Sequence, residues 1–318
     1  MIPDYLSISH AAKLIKSKEL SPVELVESRI KRIERLDGKL HSFITLLADE
    51  ALIAAKLAEK EIASGTYKGP LHGIPIGLKD VFETAAIPTT CHSKVMKNHI
   101  PKKDAHVVTR LKQAGAIVIG KLALHEFSLG GPSNDLPWPL ARNPWDTTRF
   151  AGGSSSGTGV AVAAGFVLGG TATDAGGSLR GPAALCGAAG IKPTYGLVSR
   201  TGILPLSFSL DHAGPVAWTT EDCALLLQSM AGFDASDTSS AKRPIPDYSG
   251  KLNTNIKGLR IGLLRHFYTI DVKANTATIE AIDHAAKQFE EMGCIVSEVK
   301  LSPLSDWANC GTIIMLSE

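Results

Sequence analysis

The sequence lacks the marks of several large protein classes, and each absence limits what the protein can be. Its longest uninterrupted run of apolar residues and glycines, residues 159–170, is shorter than the roughly 18 residues that a membrane helix needs. Its first residues have neither the basic start nor the apolar stretch of a secretory signal peptide. The sequence therefore predicts a cytoplasmic protein without a membrane span.

The sequence also has few cysteines and a small net charge. The five cysteines are odd in number and show no CxxC spacing, so neither a disulfide framework nor a zinc site is indicated. Lysine and arginine (33) nearly balance aspartate and glutamate (31), without a basic run that would attract nucleic acid. No Walker loop, dinucleotide-binding fingerprint or metal-ligand spacing is present. We expect no cofactor, no metal and no direct nucleic-acid partner.

What is present is an ordinary globular composition over 318 residues, with helices first and an alternation of strands and helices afterwards. Residues 1–66 predict helices, one of which begins at the capping box Ser21-Pro22-Val23-Glu24. Strands are predicted over 74–79 and 116–119, with a helix between them that Asp104 is expected to cap. This alternation predicts an α/β fold with a mixed, mostly parallel central sheet covered by helices on both faces.

The same layout returns near the end of the chain. Strands are predicted over 259–264 and 294–299, with a helix over 276–292 between them, and the last residues, 307–318, predict a helix without a stop signal. A chain that halts inside an element is typical of a fragment. We therefore expect one domain over 1–318, truncated at its C-terminal end, with a helical region over 1–66 and a catalytic core over 67–318.

The densest stretch of glycine and serine, residues 151–193, holds the first candidate for chemistry. Ser178 ends the turn Asp174-Ala175-Gly176-Gly177-Ser178, which follows a short predicted strand. Backbone N–H groups next to glycines can converge on one point and stabilise a developing oxyanion. A lone Gly-Gly-Ser turn is also a common helix cap, so these residues alone leave both interpretations open.

A second serine run, Gly153-Ser154-Ser155-Ser156-Gly157, matches the G-x-S-x-G pattern with Ser155 as the nucleophile. That pattern needs an apolar strand directly before it, and residues 145–150 are a poor candidate. His212, preceded by Asp211, would supply the remaining members of a serine hydrolase triad. A nucleophile-elbow hydrolase and a simple helix cap therefore both stay open.

Lys79 lies at the end of an apolar strand and directly before Asp80. A lysine in this position is usually a surface charge that pairs with its neighbour. If it is buried, desolvation lowers its pKa, and the neutral amine can then serve as a base for a serine nucleophile. His125 and His212 are further candidates to line the pocket, although isolated histidines are more often structural.

Taken together, these motifs resemble those of the amidase signature family, and the resemblance covers the chain from near residue 5 to its end. It implies a triad of Ser178 as nucleophile, Ser154 as a bridging serine on a cis peptide bond, and Lys79 as base. It also implies an oxyanion hole formed by the backbone N–H groups of Ala175, Gly176, Gly177 and Ser178. The segments that carry the resemblance are residues 73–80, 120–127, 143–146, 152–157 and 174–180.

The resemblance implies an amide hydrolase that cleaves a small carboxamide to a carboxylate and ammonia or an amine through an acyl-enzyme. A related alternative is the glutaminase component of a tRNA-dependent amidotransferase, its A-type chain, which releases ammonia from glutamine for a partner subunit. Family members continue well beyond the point where this chain stops, which makes an inert fragment the third alternative. We therefore expect a complete triad in an open pocket, and a protein of residues 1–318 that is poorly stable or inactive. A homodimer stays open.

Overall fold

The computed structural model describes residues 2–318 and divides into two compact units that meet in sequence between Ser249 and Gly250. The larger unit is built around a six-stranded sheet with the spatial order β1-β3-β2-β4-β6-β5. Its strands are β1 (Phe43–Leu46), β2 (Pro75–Lys79), β3 (Ile117–Leu122), β4 (Gly169–Asp174), β5 (Ala189–Gly190) and β6 (His212–Ala217).

The sheet is mixed, as predicted. The central strand β2 is parallel to both β3 and β4, whereas the β1–β3, β4–β6 and β5–β6 pairs are antiparallel. Four of the six strands therefore point the same way, although three of the five neighbouring pairs are antiparallel. Because β2 and β4 are parallel neighbours, the loops that follow them open at the same edge of the sheet.

Helices flank this sheet through two separate hydrophobic clusters. One cluster includes Ile76 and Leu78 of β2, and the other includes Ile117 and Ile119 of β3. This arrangement confirms the predicted α/β class. The helices are α1 (Ile8–Lys16), α2 (Pro22–Leu40), α3 (Ala48–Ala63), α4 (His106–Gln113), α5 (Ser156–Ala163), α6 (Arg180–Cys186) and α7 (Thr220–Met230).

The capping box at the start of α2 forms as predicted. The Ser21 hydroxyl accepts hydrogen bonds from the N–H groups of Val23 and Glu24, and the Glu24 carboxylate accepts one from the Ser21 N–H. These bonds satisfy backbone donors that an isolated helix would leave unpaired. The helix runs two residues past Gly38, to Leu40.

Two local expectations are wrong. Residues 1–66 are not all helical, because residues 43–46 form β1 at the edge of the sheet beside β3. Asp104 does not cap α4, since its carboxylate accepts hydrogen bonds from the Ala85 N–H at 2.8 Å and from Lys112 Nζ at 2.8 Å. In both cases a partner that is distant in sequence determines the local structure.

The smaller unit is a β-α-β arrangement followed by a helix. Two parallel strands, β7 (Arg260–Leu263) and β8 (Ile295–Glu298), are connected through α8 (Thr276–Glu291), and α9 (Leu304–Ser317) follows. These four elements match the two strands and two helices predicted for residues 259–318. The single domain over 1–318 stays a prediction. Within residues 2–318, no helix is both long enough and apolar enough to cross a membrane.

Candidate active site

Lys79 is the last residue of β2, and its side chain is completely buried. Its Nζ donates hydrogen bonds to Ser154 Oγ at 2.8 Å and to Thr173 Oγ1 at 2.6 Å. Its backbone N–H donates to Thr171 Oγ1 at 3.1 Å. Both threonines lie on β4, where alternate residues point to the same face. The neighbouring strand thus binds the lysine through both its backbone and its amine. The expectation that Lys79 is a surface charge paired with Asp80 is wrong.

Burial changes the acid–base chemistry of this lysine. Desolvation lowers the pKa of the Lys79 ammonium from 10.5 to about 7, because the charged form loses its water. The carboxylates of Asp211 and Asp174 oppose this change but do not cancel it. The neutral amine is therefore available as a proton acceptor near neutral pH.

Asp80, the residue after Lys79, is paired elsewhere. Its carboxylate lies 3.0 Å from Lys121 Nζ, and both side chains are completely buried. Its second oxygen accepts hydrogen bonds from the Thr90 N–H at 2.8 Å and the Thr90 hydroxyl at 2.6 Å. This carboxylate is therefore committed to Lys121 and Thr90 rather than to Lys79.

The bridging-serine candidate, Ser154, is buried and follows a cis peptide bond between Gly153 and Ser154. Its carbonyl accepts a hydrogen bond from the His125 N–H at 3.0 Å. The His125 ring packs so closely on Gly153 that a Cβ there would collide with the ring carbon Cε1. A side chain at Gly153 would therefore displace the His125 ring, which packs directly against the serine run.

Ser178, the candidate nucleophile, lies in the loop after β4 and is half-buried. Its carbonyl accepts a hydrogen bond from the Ser155 N–H at 3.1 Å, which places the two serine segments side by side. Its hydroxyl makes no hydrogen bond to any part of the chain that the structure describes. The structure thus brings Lys79 and Ser154 into direct contact and sets the backbone of Ser178 beside this pair.

Asp174 organises the loop that carries Ser178. Burial alone would raise the pKa of this carboxyl, but the Arg180 guanidinium and backbone N–H groups outweigh burial and lower it. Asp174 Oδ1 accepts the Gly177 N–H at 2.8 Å, so this predicted oxyanion donor is occupied by the protein. The N–H groups of Ala175, Gly176 and Ser178 have no acceptor among residues 2–318 and remain available.

A pocket of about 250 Å³ opens beside Thr173. It reaches the lysine through this threonine, whose hydroxyl contacts Lys79 Nζ. His212 lines the pocket, as the sequence suggested, whereas His125 lines a separate pocket next to Gly152. The lining further includes Ser128, Arg200, Ile203, Leu204, Leu206, Phe208, Asp211 and Asp237.

The alternative nucleophile, Ser155, is wrongly placed for that role. Its side chain is completely buried, and its hydroxyl lies 3.3 Å from the carbonyl oxygen and 3.4 Å from the amide nitrogen of Thr173. Residues 145–150 form no strand. The hydroxyl therefore ties α5 to β4, and the structure does not support a nucleophile elbow at this serine.

Thr173 is the contact of Lys79 that the sequence did not reveal. In the sequence, Thr171 and Thr173 are visible only as alternate residues of a short apolar strand. That alternation points to Lys79 only when β4 is known to pair with β2. Lys79 and Thr173 are 94 residues apart, so no local pattern connects them.

Replacement of Thr173 by valine is expected to lower kcat/KM for amide hydrolysis about three- to tenfold. Valine keeps the shape but removes one hydrogen-bond acceptor of Lys79 Nζ, and a typical single hydrogen bond has this value. Thr158→Val is the matched control, because Thr158 is also buried and its hydroxyl donates to the Thr171 carbonyl rather than bonding to Lys79. Equal losses in both variants would show that Thr173 serves only stability.

Comparisons with known proteins identify relatives of this chain. A family model described as Amidase matches residues 24–318. The chain is 46% identical over 295 residues to the A-type chain of glutamyl-tRNA(Gln) amidotransferase from Thioalkalivibrio sulfidiphilus, a match that covers 93% of this chain and 60% of that protein. The chain thus spans about 60% of the length of this curated relative.

Two solved structures share the fold. One, from a vestigial protein complex connected with the origins of an s-triazine catabolic enzyme, matches with a TM-score of 0.92 and 33% identity over 98% of this chain and 67% of that chain. The other, native peptide amidase from Stenotrophomonas maltophilia, matches with a TM-score of 0.88 and 34% identity over 97% and 65%. Similarity therefore extends over both the sheet and the candidate site.

Proposed function

Because this chain belongs to the amidase family, we propose that it hydrolyses carboxamides with Ser178 as nucleophile, Ser154 as proton relay and Lys79 as base. The observation that carries the proposal is the completely buried Lys79, whose Nζ lies 2.8 Å from Ser154 Oγ. A lysine with a pKa of about 7 is neutral in a substantial fraction of molecules at physiological pH.

The first half of the proposed reaction forms an acyl-enzyme. Ser178 Oγ attacks the carbonyl carbon of the amide while its proton passes to Ser154 Oγ, whose own proton passes to Lys79 Nζ. The carbonyl oxygen becomes an oxyanion that accepts hydrogen bonds from the unoccupied N–H groups of Ala175, Gly176 and Ser178. The carbon–nitrogen bond then breaks, and the relay returns a proton to the departing ammonia or amine.

The second half regenerates the enzyme. A water molecule gives a proton to the relay as its oxygen attacks the acyl carbon, which forms the same oxyanion again. The bond between the carbon and Ser178 Oγ breaks, Ser178 recovers its proton, and the carboxylic acid leaves as a carboxylate. The net reaction is amide plus water to carboxylate and ammonia or amine, and it uses no cofactor.

The names of the curated relatives favour a second candidate, in which the chain is part of the A-type component of a glutamyl-tRNA(Gln) amidotransferase. Such a component would release ammonia from glutamine with the same three residues and pass it to a partner subunit. Glutaminase activity that requires a co-purifying partner would favour this candidate. Brisk hydrolysis of other carboxamides by the protein alone would favour the amidase.

The proposal is tested by labelling with a fluorophosphonate, followed by mapping of the adduct by mass spectrometry. The probe reacts with an activated serine and needs little of the substrate pocket. An adduct on Ser178 together with ammonia release from a carboxamide supports the proposal. A folded protein that gains no adduct would support the inert alternative.

The pH dependence follows from the burial of Lys79. We expect kcat/KM to rise with pH through a midpoint near pH 7, because only the neutral amine accepts the proton from Ser154. The labelling rate of Ser178 should rise over the same range. Profiles between pH 5 and pH 9 measure both, and a rate that stays flat across this range would contradict Lys79 as the base.

A further inference from the structure

Ser128 is a buried residue whose hydroxyl has no hydrogen-bond partner among residues 2–318. It is only 7% exposed, and it lines the pocket beside Thr173. Buried polar groups without a partner are rare in folded proteins because desolvation is not compensated. Rotation about one side-chain bond can turn this hydroxyl toward the pocket, where a ligand would supply the missing partner.

The backbone around Ser128 is held in an unusual conformation. Phe127 and Ser128 have φ values of +51° and +64°, in the left-handed region that side-chain-bearing residues rarely adopt. Two hydrogen bonds fix the segment: the Phe127 N–H donates to the Cys91 carbonyl, and the Ser128 N–H donates to the His125 carbonyl. Such strain persists where the surroundings impose it, and it is concentrated at functional sites.

The charged groups of this pocket already have protein partners. His212 is occupied on both ring nitrogens, by the Leu210 carbonyl and by Lys192 Nζ, and burial lowers the pKa of its imidazole. The charged side chains of the lining are likewise hydrogen-bonded within the protein. The other pairs are Arg200 with Ser239 Oγ (2.8 Å) and the Phe208 carbonyl (2.6 Å), Asp211 with the Leu206 N–H (2.7 Å), and Asp237 with the Arg200 N–H (2.7 Å).

The rest of the lining mixes apolar side chains, among them Ile203, Leu204 and Phe208, with hydroxyl-bearing ones such as Thr201. Thr201 Oγ1 is, like Ser128 Oγ, buried without a hydrogen-bond partner among residues 2–318. Apolar walls with uncommitted neutral hydroxyls suit a hydrophobic group that carries a neutral polar atom. Ammonia, the leaving group of a primary carboxamide, is small. We therefore place the acyl group in this pocket of about 250 Å³, which adjoins Lys79 through the Thr173 hydroxyl.

We propose that Ser128 is a specificity-determining residue that hydrogen-bonds an uncharged acyl group in this pocket, an inference that rests on the proposed function. The substrate class is a primary carboxamide with an aromatic or similarly apolar acyl group that bears a neutral hydrogen-bonding atom.

The test compares benzamide with its three pyridinecarboxamide isosteres, in which a ring nitrogen accepts a hydrogen bond. The measured quantity is the ratio of kcat/KM for each pyridinecarboxamide to that for benzamide, in the wild type and in Ser128→Ala. The differing chemical reactivity of the amides cancels, because both proteins receive the same substrates. We expect the ratio for at least one isomer to fall about three- to tenfold in the variant.

Stability separates recognition from a structural role. Because the Ser128 hydroxyl bonds to nothing in the described chain, Ser128→Ala should keep the Tm of the wild type or raise it. The control is Ser229→Ala, which removes a half-buried hydroxyl that donates to the Leu225 carbonyl and does not line the pocket. It should leave every ratio unchanged.

Each contrary outcome overturns a defined part of the argument. Unchanged ratios in Ser128→Ala, in a protein that hydrolyses these amides, would overturn the role of Ser128 alone. A lower Tm with equal losses on all four substrates would show that the hydroxyl is structural. A wild type that neither hydrolyses a carboxamide nor gains a fluorophosphonate adduct on Ser178 would overturn the proposed function itself.

Discussion

Replacement of Ser178 by alanine is expected to lower kcat/KM for amide hydrolysis at least about a thousandfold and to abolish the fluorophosphonate adduct. Alanine lacks the oxygen that attacks the carbonyl, so no acyl-enzyme can form, and removal of a nucleophile commonly costs this much or more. The fold should not change, because the Ser178 hydroxyl makes no hydrogen bond within residues 2–318. Steady-state kinetics and intact-protein mass spectrometry measure the two effects.

Ser155→Ala is the informative comparison for this prediction. Ser155 lies beside Ser154 in the same run, but its hydroxyl bonds only to the backbone of Thr173. We expect a modest loss of stability and an adduct that still maps to Ser178. The opposite pattern, with the adduct lost in Ser155→Ala and kept in Ser178→Ala, would restore the nucleophile-elbow mechanism.

Replacement of Lys79 by methionine is expected to lower kcat/KM about 10²- to 10⁴-fold, the usual contribution of a general base. Methionine has nearly the length of lysine and suits a completely buried site, so loss of the fold is not the cause. The pH–rate profile of the residual activity should lose its rise near pH 7. A variant that keeps this rise would show that another group accepts the proton.

The same substitution is expected to change how stability depends on pH. The folded-state pKa of Lys79, about 7, lies below its ordinary value of 10.5. Between these values the unfolded chain binds a proton that the folded chain does not, so stability falls as the pH falls from 10.5 to about 7. Lys79→Met removes this slope and should raise the Tm most at pH 7. Thermal unfolding at pH 7 and pH 9.5 measures the difference.

Residue types and local motifs predicted much of the fold. The capping box of α2 and the alternation that gives β2, β3 and the β-α-β arrangement of the smaller unit all depend on neighbours in sequence. Strand pairing does not depend on them, which is why the sequence did not predict β1, β6 and the two-residue β5. The Asp104 cap failed for the same reason, because Lys112 and the Ala85 N–H bind its carboxylate instead.

The residues of the candidate site also fall into two groups, those that sequence motifs identify and those that only the folded structure brings to the site. The resemblance named Lys79, Ser154 and Ser178, and the structure brings Lys79 and Ser154 into contact, while the roles of all three stay predictions. Thr173 and Ser128 belong to no motif, because a threonine in a strand and a serine at the end of a short helical turn are common. Their importance arises from an adjacent strand and from a pocket that exist only in the folded chain.

The attachment of Lys79 to β4 has a consequence for how this sequence can change over time. Thr171 and Thr173 hold the backbone and the amine of one lysine from the next strand, so the site depends on the register between β2 and β4. A deletion or insertion of one residue within β4 would carry both threonines to the opposite face of the sheet, and one within β2 would do the same to Lys79. Such length changes are therefore excluded within these strands, even where single substitutions in the surrounding apolar positions are tolerated.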